Sequence, residues 1–356
     1  MSKFWSKSLA VGLVCGAVAE AQTWTFQVGG VERTAIVYAP KDLGANRPLF
    51  LSMHGLSGDA SMQKMMARVE SIADTAKFLL VYPNGLDKQW DISGTTDIEF
   101  LLKIIDSTAS RYGIDRSRVY SSGFSMGGMM SYHLACKNPD KVAAIGAGAG
   151  YPLGGQYGCA KTRPVPILHI HGELDTFVAF KGIRPFLAKK ATEYGCSTLT
   201  DTTRPYPASK PSSKVTREHW GPCDKSGRKS EITLMTIADM SHNYVTGPHI
   251  NMSEEIWNFV KEWSLGQSGV LPAGKSRRFG VSMRIVSGKA QVTSTAGLAR
   301  VVVRDLEGRE VARWTAPQET RVFEVSLPVS QAPQGVLAVE VVDGMGIAGG
   351  MVALPR

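Results

Sequence analysis

Arg118-Val119-Tyr120-Ser121-Ser122-Gly123-Phe124-Ser125-Met126-Gly127-Gly128-Met129-Met130 reads as a short β-rich run that turns through Gly-x-Ser-x-Gly into a helical pattern. A strand that turns this abruptly into a helix leaves no room for side chains beside the serine, hence glycine at 123 and 127, and it strains the serine's own backbone. The spacing predicts that Ser125 projects its hydroxyl above a sheet edge as a nucleophile. A free hydroxyl is almost wholly protonated at neutral pH, so Ser125 requires a base.

Outward from this turn, β-type and helical patterns alternate from Thr23 to Ser264, the signature of a mostly parallel sheet covered by helices, an α/β fold. Thr23 to Ala39 reads as a hairpin around Gly29-Gly30. Apolar strands are expected at 47–54, 78–82, 118–123, 142–147, 165–171 and 231–238, with helical spacing at 61–76, 97–112, 126–137, 183–194 and 253–263.

In hydrolases of this architecture the chain order is serine, then Asp or Glu, then His, each at the carboxyl end of a strand. The run Val165 to His171 leads into a loop with Glu173 and Asp175, and Ile232 to Ala238 leads to His242. Asp175 is the expected acid, with Glu173 its alternative. His242 is the expected base, and His249 competes because it also lies between the last strand and the last helix. His133, His169, His171 and His219 read as helix, buried-strand and edge-strand residues. The oxyanion requires two backbone amides. Met126, next after the serine, supplies one. Leu56, in the glycine-rich loop His54-Gly55-Leu56-Ser57-Gly58, supplies the other. His54, Trp90 and Tyr244 are candidate substrate-binding residues.

The chain begins with Lys3 and Lys7, an apolar stretch from Leu9 to Val18 and Ala19-Glu20-Ala21, which predicts a signal peptide over 1–21 and export. The apolar stretch is too short to span a bilayer, and no later segment looks transmembrane. Beyond it lie Cys136, Cys159, Cys196 and Cys223, an even number in an exported chain. Three pairings are possible; Cys136 with Cys159 and Cys196 with Cys223 close the shortest loops. No Cys-x-x-Cys pair or ligating His spacing points to a metal. The net charge of +9 is spread along the sequence without an aromatic-basic stripe, which reads as a solvated surface and not a nucleic-acid site. After an α/β segment over 22–265, residues 266–275 read as a Gly/Ser/Pro-containing linker. Residues 276–356 are β-rich, with strands expected at 299–305, 310–315, 320–327 and 335–342. They contain no His or Cys and predict a small β-sandwich.

These motifs resemble carbohydrate esterase family one and the polyhydroxybutyrate-depolymerase-like secreted esterases over residues 25–264. The resemblance is carried by His54-Gly55 with Gly58, Tyr82-Pro83-Asn84-Gly85, Trp90, the run from Asp97 to Asp115, Val119 through Cys136, His171-Gly172-Glu173-Leu174-Asp175 and Ser241-His242-Asn243-Tyr244. It implies an α/β-hydrolase fold, no metal or cofactor, and hydrolysis of feruloyl or acetyl esters on plant cell-wall xylan, or of polyester chains. It also implies pairing of Cys196 with Cys223, with Trp220 shortly before the second. Two positions depart from the family pattern. Tyr244 and Val245 stand where many relatives have Trp and Pro, and Thr96-Asp97 stands where two aspartates are usual. The tail resembles β-sandwich modules, including sorting domains read by export machinery, appended to secreted polysaccharide-degrading enzymes. A non-catalytic carbohydrate-binding protein on a hydrolase scaffold is the alternative from another class.

Overall fold

The computed structural model describes residues 19–265 except 154–162, 197, 200 and 226, and beyond them the backbone of seven strands between 281 and 353. Residues 1–18 of the expected signal peptide and the whole expected linker lie outside the described residues. The first strand opens at Glu20, so cleavage after Ala21 would trim its first two residues.

The hairpin β1 (Glu20–Val28) and β2 (Val31–Ala39) flanks a parallel core. That core comprises β3 (Leu49–Met53), β4 (Leu79–Pro83), β5 (Val119–Phe124), β6 (Ala144–Gly148), β7 (Ile167–Gly172) and β10 (Arg228–Ile237). On the far side β9 (Val215–Lys225) and β8 (Asp201–Thr203) continue antiparallel, giving the order β1-β2-β4-β3-β5-β6-β7-β10-β9-β8. Successive side chains of a strand point to opposite faces. Leu49, Leu51 and Met53 therefore join one apolar cluster, beneath α3 (Thr96–Tyr112), α4 (Met126–Lys137) and α5 (Ile183–Glu193). Phe50, Leu80 and Tyr120 join the other, beneath α1 (Ala60–Ala67), α2 (Glu70–Ala76) and α6 (Met252–Val260). There Trp257 of α6 stacks on Phe78 at 4.2 Å and meets Phe50 and Tyr120 edge-on. This is an α/β-hydrolase sheet covered on both faces.

Three differences from the sequence reading have local causes. The helix expected over 61–76 is two, because Arg68 sits in the left-handed region (φ 50°) and ends α1. Strand β8 has no counterpart in the sequence reading, whereas β9 is the edge strand expected around His219, and it carries Arg217, Glu218, Asp224 and Pro222, the charges and proline of a strand near a sheet edge. In the C-terminal region β13 (Leu298–Arg304), β14 (Glu310–Thr315), β15 (Val322–Ser326) and β16 (Val336–Asp343) match expected strands. β11 (Val281–Val286), β12 (Lys289–Ser294) and the glycine-rich β17 (Gly346–Ala353) were not anticipated. They pair as a three-stranded sheet β11-β12-β15 and a four-stranded sheet β14-β13-β16-β17.

Candidate active site

Ser125 follows β5 and caps α4 with φ 54° and ψ −118°, a conformation a non-glycine residue adopts only when its surroundings enforce it. The enforcement is close packing. A Cβ on Gly123 would lie 2.4 Å from the Gly127 carbonyl, and one on Gly127 would lie 2.2 Å from the Met53 oxygen. The Ser125 amide donates to the Gly148 carbonyl at 2.8 Å, tying the turn to β6.

Asp175 follows β7 and is almost fully buried. Its Oδ1 accepts the amides of Phe177 and Val178, each at 2.9 Å. Its Oδ2 lies 2.7 Å from Nδ1 of His242, which stands on the loop after β10. Nε2 of His242 lies 2.8 Å from Ser125 Oγ. A buried carboxylate beside Nδ1 fixes the proton there, leaving the Nε2 lone pair to accept from the hydroxyl. Phe124 and Phe177 flank the imidazole, with ring centroids at 4.9 and 5.6 Å. The fold thus brings Ser125, Asp175 and His242 into one hydrogen-bonded line at the carboxyl ends of the parallel strands. The alternatives stand elsewhere. Glu173 accepts from the Thr236 hydroxyl at 2.8 Å, and His249 meets the Lys214 amide at 3.4 Å.

The loop after β3 passes directly over the serine, since a Cβ on Gly55 would touch Ser125 Cβ at 3.3 Å. The Leu56 amide comes next in that loop. The Met126 amide opens α4, where the first N–H groups of a helix have no intrahelical acceptor. Both sit beside Ser125 in the chain or in space.

Two expected substrate-binding residues are not surface residues. His54 is 1% exposed: its Nδ1 donates to the Gly55 carbonyl at 2.7 Å and its Nε2 accepts the Gly85 amide at 2.9 Å. Burial holds its pKa below the ordinary histidine value. Trp90 is 2% exposed, donates its indole N–H to the His54 carbonyl at 2.8 Å, and packs on the His54 ring at 4.8 Å. Together they fasten the 85–90 loop beneath the loop over the serine. Tyr244 is half-buried, with its hydroxyl turned inward to Ser253 at 2.7 Å and its ring edge-on to Phe124; burial raises its pKa to about 12. What the sequence did not single out is Phe177, 84% exposed beside His242.

Asp97, the aspartate kept beside Thr96 where two are usual, is buried in an ion pair with Arg33 and also accepts the Asp91 amide at 2.6 Å. Cys196 and Cys223 form a disulfide joining the end of α5 to β9. Cys136 is buried near the end of α4; Cys159, its expected partner, lies outside the described residues. Among the described residues no three His, Cys, Asp or Glu side chains group as metal ligands, and no helix is long and apolar enough to cross a membrane.

Over 239 residues, 66% of the chain, it is 36% identical to a bifunctional acetylxylan esterase/xylanase of Neocallimastix patriciarum, covering 34% of that protein. The chain is similar over this segment to a protein named as an acetylxylan esterase/xylanase. A feruloyl esterase B of Thermothelomyces thermophilus is 32% identical over 134 residues, 35% of this chain and 45% of that one. The chain therefore spans a third to a half of the length of these curated relatives. A Phospholipase/Carboxylesterase family model matches residues 87–217, which hold Ser125 and Asp175 and end before His242. Among solved structures, the acetyl xylan esterase from Aspergillus awamori shares the fold with a TM-score of 0.54 at 16% identity, over 67% of this chain and 99% of that one.

Proposed function

We propose that this esterase relative is a secreted serine carboxylic ester hydrolase that removes feruloyl or acetyl groups from xylan through an acyl-enzyme intermediate. The observation that carries the reading is the unbroken line from Ser125 Oγ through His242 to Asp175, at 2.8 and 2.7 Å. His242 takes the Ser125 proton as the oxygen attacks the ester carbonyl, and Asp175 holds the imidazole in its working tautomer and favours its charged form. The Leu56 and Met126 amides receive the oxyanion, at a few kcal/mol each. The sugar alcohol leaves with the proton from His242. Water, activated by the same base, then releases the acid.

Leu56 and Phe177, 62% and 84% exposed, border the reacting atoms, while Leu86, Leu153 and Leu174 are exposed on other loops at the carboxyl ends of the parallel strands. An apolar rim of this kind supports a bulky aromatic acyl group over acetate. It also favours a second reading, a polyester depolymerase, which needs an apolar surface for a solid polymer. Residues 22–265 form the catalytic unit. Residues 276–356, with their two sheets, form a β-sandwich module serving attachment or export at the cell surface.

Arabinoxylan and a polyhydroxybutyrate film, incubated separately with the full chain and assayed by chromatography, should give ferulate in excess of acetate and no hydroxybutyrate. Hydroxybutyrate alone would replace the xylan reading with the polyester one. No product from either, nor from a small aryl ester, would leave a binding role on a hydrolase scaffold.

A further inference from the structure

His169 and His171 lie two residues apart on β7, so their side chains share one face of the sheet, and both are completely buried. Their rings stack 5.2 Å apart at 17°. The hydroxyl of Tyr132, on α4, is 3.0 Å from Nδ1 of His169; Nε2 of His169 is 2.9 Å from Nδ1 of His171. Nε2 of His171 is 2.8 Å from the Val178 carbonyl and 3.2 Å from Oδ2 of Asp175. A carbonyl can only accept, so Nε2 of His171 carries the proton and its Nδ1 is a lone pair. His169 must then donate from Nε2 and accept from Tyr132 at Nδ1. Every donor finds an acceptor with both rings neutral, and burial holds the pKa of each below the ordinary histidine value.

We propose that His171 is a positioning residue of the hydrolytic reaction, acting through Asp175 at the end of this buried chain from Tyr132. The inference rests on the esterase reading of Ser125. Oδ1 of Asp175 is held by two amides, and Oδ2 is hydrogen-bonded to Nδ1 of His242 and lies 3.2 Å from Nε2 of His171, whose proton is bonded to the Val178 carbonyl. The nearby N–H dipole packs against the edge of the carboxylate and offsets part of the charge that Asp175 presents to His242. It thereby limits how strongly Asp175 stabilises the imidazolium that forms when His242 takes the Ser125 proton. The other titratable group near His171 is Tyr151, whose ring is 6.0 Å away and whose hydroxyl donates to the Ala179 carbonyl at 2.8 Å. A chain of three buried polar side chains costs desolvation that an apolar trio of the same shape would avoid. Its end on the carboxylate gives that cost a use.

The test is the pH profile of kcat/KM on a small aryl ester for the full chain, His171→Phe and His171→Gln. Phe keeps the volume and removes the donor; Gln returns an N–H near the Nε2 position. His171→Phe should move the acid limb upward by roughly half a unit or more, because the N–H dipole beside the Asp175 carboxylate is lost and the carboxylate then holds the imidazolium more strongly. It should lower kcat with KM little changed, and His171→Gln should restore the limb. A folded His171→Phe whose acid limb coincides with that of the parent overturns the proposal. Independently of any variant or activity, nitrogen-15 spectra of the unmodified chain should show His169 and His171 as neutral Nε2–H tautomers while His242 titrates. An Nδ1–H tautomer at His171 also overturns it. Failure of the parent to hydrolyse any ester strikes at Ser125 as nucleophile instead, and the spectra still decide the tautomers.

Discussion

Replacing Asp175 with Asn should lower kcat/KM on an aryl ester by about 10⁴-fold, the penalty for a histidine held in the wrong tautomer, while leaving the fold intact. The geometry dictates which way the new amide turns. Oδ1 accepts two backbone amides at 2.9 Å, so the Asn oxygen stays there; the reverse orientation would set an NH2 group against two N–H donors. The Asn nitrogen then occupies the Oδ2 position, 2.7 Å from Nδ1 of His242. Two donors cannot share that contact, so His242 shifts its proton to Nε2, where it faces Ser125 Oγ and can no longer accept. At about 1.36 kcal/mol per factor of ten, 10⁴ corresponds to roughly 5.4 kcal/mol of lost transition-state stabilisation. Steady-state hydrolysis at neutral pH, with a urea melt alongside, measures both halves of the expectation. A loss of about 1–3 kcal/mol of unfolding free energy with the chain still folded is expected, since the amide gives up charge-assisted hydrogen bonds and turns its NH2 toward the His171 N–H as well. A folded Asp175→Asn protein keeping more than a tenth of the activity would mean that His242 keeps Nε2 free without the carboxylate.

Stability should fall steeply in acid. His54, His169 and His171 are buried and neutral with pKa values lowered from 6.5, so the unfolded chain takes up protons first, and their contribution is full above 6.5 and lost as pH falls below it. Each can contribute a slope of up to about 1.4 kcal/mol per pH unit, so urea midpoints should change little from pH 8 to 7 and drop between 6 and 5; a flat series contradicts their burial as neutral rings. Phe177→Ala should raise KM for methyl ferulate several-fold and leave phenyl acetate nearly unchanged, because the exposed ring offers area only to a large acyl group; an equal effect on both esters would count against that role. Asp97→Ala leaves the Arg33 guanidinium buried and unpaired and should cost about 3–5 kcal/mol of stability in a denaturant melt, with a loss under 1 kcal/mol speaking against a buried ion pair.

The parts of the site legible in the sequence are those set by local close approach or by chain order. The glycines around Ser125 are required wherever a strand turns this sharply into a helix, so they announce the turn at any distance from its partners. Asp175 and His242 were readable because loops at the carboxyl ends of parallel strands share one rim of the sheet. Side-chain direction was not readable. His54 and Trp90 adjoin the serine in the fold, but their polar atoms are spent on Gly55, Gly85 and each other's loops, which no spacing reveals. The same holds for His171: its strand position was clear, and its contact with Asp175 depends on rotamers fixed by Val178 and His169. Phe177 carried no pattern at all, since a lone phenylalanine after a strand looks like core until its exposure is seen. An edge strand at β9 was readable around His219, but the three-residue β8 was not, because so short a strand carries no pattern until the assembled sheet supplies its neighbour.

The most direct test of the account is brief exposure of the folded full-length chain to an aryl phosphonate, followed by peptide mapping by mass spectrometry. A single adduct on Ser125, formed in step with the loss of esterase activity and absent from Ser125→Ala, is the result the Ser125, His242 and Asp175 line predicts. Activity lost without modification of Ser125, or an adduct on another residue, would contradict it.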